Sequence, residues 1–197
     1  MKLNFSKLSH WQQTAFCAAL LERMLPNYQL FSESVSFGDV KVLRNQLDMI
    51  WQKLASPQNT KISIEAQLTK LELQTPDPEE FEFFGVFPAL DCCMAIMSLW
   101  QLMQTKPQDD TAEDIESVSR LSENTVSGYV ELLLGESSDD DVSLDDILAH
   151  PLMTWEHETQ QELFDFIQFA ATSKRSCQLA KEMALSEGMS SLGIELT

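Results

Sequence analysis

From Ala89 to Gln104 the chain is apolar nearly all the way round a helical wheel, and this segment constrains the fold more than any other. A helix without a polar face has to be covered on every side, so other helices must surround it. The charge-free stretch Cys92 to Thr105 falls short of the roughly 20 residues needed to cross a bilayer. The expectation is therefore an all-α fold: a compact multi-helix bundle of about seven to nine helices with a central buried helix near 88–105. Pro88 fits its first position and Asp91 its first turn.

The rest of the chain supplies those neighbours. Ser9 with Gln12 forms a capping box before a stripe at Trp11, Ala15, Ala18 and Ala19, which runs to Pro26. A further turn or two is expected over 27–35, before Phe37-Gly38. Asp39 is an N-cap candidate for Val40, Leu43, Leu47, Ile50, Trp51 and Leu54. Another helix is expected from about Ser63 to Leu71, and a helical turn over 79–84. Thr111 with Asp114 opens a helix that Gly135 should close. One turn follows from Ser143 to Ala149, and Pro151 starts a last region that is one helix or two, divided near Ser173. The tail, 190–197, has room only for an extended end. No repeat of 20 to 50 residues recurs. The whole of 1–197 is expected to form a single domain, with 135–146 as a mobile acidic loop.

The net charge of −18 is unevenly spread. Residues 1–61 carry +3, 62–108 carry −5, 109–146 carry −12 and 147–197 carry −4. Such a field disfavours direct binding to nucleic acid or an anionic membrane and favours a basic protein partner. A merely solubilising face is the plainer reading of the same acids. Asp139, Asp140, Asp141, Asp145 and Asp146 are the candidate interaction surface. Neither a secretory leader nor a spanning segment is expected, which places the protein in the cytoplasm. Cys17, Cys92, Cys93 and Cys177 form no CxxC and suit buried free thiols, neighbouring cysteines on a helix pointing about 100° apart.

Few residues invite chemistry. Asp139, Asp141, Ser143 and Asp145 alternate like calcium ligands, but Leu144 and His150 stand where an EF-hand needs glycine and glutamate. His150 and His157 lie too far apart for HExxH, leaving Glu158, Glu162 and Asp165 on one helical edge as a minority carboxylate metal site. Nucleotide-binding and nucleophile-elbow motifs are absent, and no cofactor or metal is expected. Arg44 and Asp48, at i, i+4, suit a partly buried ion pair. Asp91, unless an arginine such as Arg23 or Arg44 neutralises it, is the leading functional carboxylate.

Four ordered segments then carry a resemblance: Glu22-Arg23-Met24-Leu25-Pro26-Asn27-Tyr28; Phe37-Gly38-Asp39 with Arg44, Leu47-Asp48 and Ile50-Trp51; Gly85-Val86-Phe87-Pro88-Ala89-Leu90-Asp91; and Leu192-Gly193-Ile194. Over essentially its whole length the chain resembles the YjaG-like bacterial proteins, a family of unknown function. The resemblance implies a compact all-helical domain and transfers no activity, substrate or cofactor. Two functions follow from the residues themselves. One is a non-enzymatic, acidic helical interaction module for a basic partner. The other is an enzyme or small-ligand or metal-binding protein whose polar pocket gathers Arg23, Asp39, Arg44, Asp48 and Asp91.

Overall fold

The computed structural model describes residues 3–58, 61–106, 109, 111–137 and 141–196. Among these are eight α-helices: α1 (His10–Val35), α2 (Val40–Ala55), α3 (Ile64–Glu72), α4 (Val86–Leu102), α5 (Ala112–Ser137), α6 (Leu144–Ala149), α7 (Pro151–Ile167) and α8 (Lys174–Ala184). Short 3-10 turns lie at Phe5–Lys7 and Pro78–Glu80. The fold is an all-α bundle, and no described helix is long and apolar enough to cross a membrane.

Two helices share the centre. α4 packs against α1, α5, α3 and α2, and α1 also touches α2, α5, α7 and α8. Both central helices bury small side chains, Ala15, Ala18 and Ala19 on α1 and Ala89, Cys92 and Ala95 on α4, which suits close packing of the two. α4 nevertheless leaves Phe87 and Met94 exposed, so its uniform apolarity overstated its burial. It starts two residues before Pro88, whose missing N–H still falls among the first-turn donors that lack helical partners. Asp91 therefore sits in the second turn, where the helix dipole helps it less than first-turn placement would.

α1 corrects a second expectation, for it passes through Pro26 instead of ending there. Proline deprives the Glu22 carbonyl of its helical donor. Burial of Leu25, Asn27, Tyr28 and Phe31 on both sides holds the helix together. The C-terminal tail adds hydrogen bonds at this place: Ser191 N–H donates to the Arg23 carbonyl at 3.0 Å, and Asn27 Nδ2 donates to Ser191 Oγ at 2.9 Å. The tail itself turns at Gly193 (φ 75°), and Met189 and Glu195 form an isolated antiparallel bridge.

Local chemistry sets most other boundaries. Ser9 and Gln12 form the capping box of α1, Asp39 accepts from Lys41 N–H, and Ser143 and Ser173 cap α6 and α8. The Ser173 cap settles the last region as two helices. Thr111 immediately precedes α5, but its hydroxyl donates to Gln13 Oε1 at 2.6 Å, tying the start of α5 to α1. Gly135 does not close α5, which runs two residues further, into the segment expected to be a loop. The expected turn over 79–84 is the 3-10 turn at Pro78–Glu80. A second apolar cluster, Val126, Val130, Ile147, Met153 and Leu192, joins α5, α6, α7 and the tail.

Candidate functional site

The two most unusual side chains are neighbours. Glu22 and Arg23 lie in the middle of an apolar helix, both buried, and helical geometry turns them about 100° apart, towards different partners.

The Glu22 carboxylate is met by three donor side chains from two helices, α2 and α8. Arg44 approaches both oxygens, Nη1 at 2.6 Å and Nη2 at 2.9 Å, in a bidentate pair. Trp51 Nε1 donates at 2.7 Å and Lys181 Nζ lies at 3.1 Å. Arg44 also reaches Asp48 at 2.8 Å, and Lys181 stands 3.7 Å from Asp48. Burial disfavours the Arg44 charge, but Glu22 and then Asp48 outweigh it and hold the guanidinium more firmly protonated than usual. Two acids and two bases balance here, which marks a structural knot between α1, α2 and α8.

Arg23 faces α7. Its Nη1 lies 2.5 Å from Glu156 Oε2, and both residues have 0% exposure. Glu156 Oε1 accepts from Ser122 Oγ at 2.6 Å and Gln160 Nε2 at 2.8 Å, and Gln160 in turn joins Ser119. The Arg23 guanidinium lies 4.5 Å from the centre of the Trp155 ring. Its other edge is unsatisfied: Nε and Nη2 are buried without a hydrogen-bond partner among the described residues. Arg23 lines a cleft of about 320 Å³ between α1, α7 and α8, together with Trp155, Met183, Glu158, Glu162 and Glu187. Orphaned donors of a buried cation beside a cleft are costly unless something accepts from them.

The five residues expected to share a pocket are thus dispersed. Arg44 and Asp48 meet, and Arg23 belongs to the α7 network. Asp39 is spent on capping α2, and its N–H donates to Gln74 Oε1 at 2.7 Å. Asp91 is neutralised by neither arginine; its Oδ2 accepts from Thr125 Oγ1 at 2.8 Å. Burial pushes the Asp91 carboxyl above its ordinary range, and the Thr125 hydrogen bond offsets part of that. Glu22, Glu156, Trp155 and Lys181 were not among the site residues expected from sequence. The only signal was a charged dipeptide inside the apolar run Ala18 to Leu25.

The metal readings find no geometry to support them: among the described residues no three His, Cys, Asp or Glu side chains are grouped to hold an ion. His150 accepts from Leu152 N–H through Nδ1 and so caps α7, while His157 Nε2 lies 3.8 Å from Glu123. Ser143 Oγ serves the α6 cap, and Asp139 and Asp140 lie outside the described residues. Asp141, Asp145 and Asp146 are exposed. All four cysteines are free and buried.

A family described as "Protein of unknown function (DUF416)" matches residues 1–195. The uncharacterised protein YjaG of Escherichia coli strain K12 is 31% identical over 195 residues, covering 98% of this chain and 94% of its own. An uncharacterised protein of Haemophilus influenzae is 31% identical over 192 residues, covering 95% and 93%. The crystal structure of a DUF416 family protein from Shewanella baltica OS155 superposes over the full length of both chains with a TM-score of 0.86 and 37% identity.

Proposed function

Because the chain belongs to the DUF416 family, whose description assigns no activity, we propose from its own surface that it is a non-enzymatic, acidic helical interaction module that docks a basic partner protein. One observation carries this reading. On α6, Leu144 is 67% exposed and Leu148 is 46% exposed, one turn apart, with Asp141, Asp145 and Asp146 exposed beside them. A purely solubilising face has no use for two bare leucines. An amphipathic basic helix would cover them with its apolar stripe and set its lysines or arginines against the aspartates. The first turn of α6 is firmly made, Ser143 accepting from Asp146 N–H and donating to Asp146 Oδ2, so the leucines are held in place. Unpaired cysteines are compatible with a reducing, cytoplasmic setting.

The test is fluorescence anisotropy with a labelled Lys/Leu amphipathic helix, alongside affinity capture from native lysate, each at low and high salt. Two variants are compared with the wild type: one replaces Asp139, Asp140, Asp141, Asp145 and Asp146 with Asn and Ser, the other is Leu144→Ser/Leu148→Ser. The reading expects binding that weakens steeply with salt, is lost in the acidic-site variant and falls in the leucine variant while helix content is retained. Salt-independent binding, or binding that neither variant reduces, would sink it.

A further inference from the structure

The Arg23 cleft is chemically two-ended. It is lined by Arg23, and the Nε and Nη2 of this fully buried guanidinium have no hydrogen-bond partner among the described residues. Its outer part carries Glu158, Glu162 and Glu187, all exposed, and no Lys or Arg pairs with them among the described residues. Glu158 and Glu162 stand one turn apart on α7, an arrangement of like charges that weakens a helix and that a bound cation would relieve. Trp155 and Met183 add apolar lining.

These features narrow the ligand. An anion would satisfy Arg23, but Glu156 already balances that charge and three more carboxylates guard the entrance. A divalent metal finds no ligand set among the described residues. A simple amine would suit the rim and leave the guanidinium edge unmet. The remaining chemistry is a cation that also carries a neutral oxygen acceptor and a modest apolar group. We infer that the cleft binds small organic monocations of this kind, for which an α-ammonium amide is the simplest biological form, its carbonyl oxygen on Arg23 Nε and Nη2 and its ammonium among Glu158, Glu162 and Glu187. The same chemistry occurs in a free amino-acid amide and at the N-terminus of a peptide. The cleft shares no residue with the α6 surface, so this inference stands apart from the docking function.

Isothermal titration of the intact protein with L-leucinamide tests it. Saturable binding is expected. L-Leucine, N-acetyl-leucinamide and isopentylamine, which add a negative charge, remove the positive charge and remove the oxygen respectively, should each bind at least about tenfold more weakly. The exposed-site variant Glu158→Gln/Glu162→Gln/Glu187→Gln should weaken leucinamide by a similar factor without unfolding the bundle. Arg23→Lys provides a second arm where it folds. A leucine-initiated tripeptide amide that binds more tightly than leucinamide assigns the site to a peptide terminus, and one that binds more weakly assigns it to a free small molecule. No saturable heat up to about 10 mM leucinamide overturns the inference, as does equal binding of isopentylamine or of leucine.

Discussion

The Arg23 guanidinium and the Glu156 carboxylate meet at 2.5 Å although 133 residues separate them and neither is exposed to solvent. Losing one member of such a pair strands the other in a medium that solvates it poorly. Arg23→Met is expected to cost about 3–5 kcal/mol by urea unfolding. Adding Glu156→Gln should restore part of that loss, because Ser122 can still donate to the side-chain oxygen and no bare charge remains. A double variant whose loss equals the sum of the two singles would show that the pair is not coupled.

Gly38 and Gly188 make a controlled comparison. Both have positive φ, 69° and 65°. A Cβ at Gly38 would collide with the Tyr28 hydroxyl, which donates to the Gln74 carbonyl at 2.9 Å, whereas a Cβ at Gly188 meets nothing. Gly188→Ala should therefore cost about 1 kcal/mol of backbone strain, and Gly38→Ala at least about 2 kcal/mol, since it also disturbs a hydrogen bond. Thermal unfolding ranks the two directly.

Asp91 gives a prediction in pH. Burial raises its folded pKa, with the Thr125 hydrogen bond acting in the opposite direction. The folded state thus holds the Asp91 proton more tightly than the unfolded state does. Its favourable contribution is complete below the unfolded value of about 3.9 and is lost as pH rises through the folded one. Asp91→Asn keeps an oxygen for Thr125 and removes the charge, so it should stabilise the protein at neutral pH, with the gain disappearing below about pH 4. Urea melts of both proteins at several pH values check this.

The thiols should be inert. Burial pushes Cys93 up to about 12 and Cys177 up to about 11, and raises Cys17 and Cys92 as well. Native protein is expected to react with Ellman's reagent at pH 8 orders of magnitude more slowly than protein in denaturant, with Cys177 labelled first by peptide mapping. Rapid native labelling of Cys92 or Cys93 would contradict their placement in the core.

How far the sequence reveals this molecule depends on the range of the interaction concerned. The caps at Ser9, Asp39 and Ser143 are local devices spanning two or three residues, so the patterns around them located α1, α2 and α6. Pro26 misleads because the burial and the Ser191 contact that sustain α1 beyond it come from distant parts of the chain. Gly135 misleads for a related reason: a glycine permits a helix to stop without requiring it. The Arg44–Asp48 pair, at i, i+4, was legible. Glu22 and Arg23 were visible as charges in an apolar run, but Arg44 lies on the next helix and Lys181 and Glu156 more than a hundred residues away, and no periodicity joins them.

The divergence of Glu22 and Arg23 also fixes how α1 can be seated. Bundles held by apolar faces alone tolerate sliding and rolling, since one leucine replaces another at little cost. α1 lacks that freedom. A slip of one residue in one direction would set the Glu22 carboxylate against Glu156 and leave Leu21 facing Arg44 and Lys181; in the other it would set the Arg23 guanidinium against Arg44 and Lys181 and leave Met24 facing Glu156. The dipeptide acts as a key with a single insertion depth and a single rotation. Exchanging the two residues would leave composition and net charge untouched and still present the bundle with a helix that no longer fits its lock.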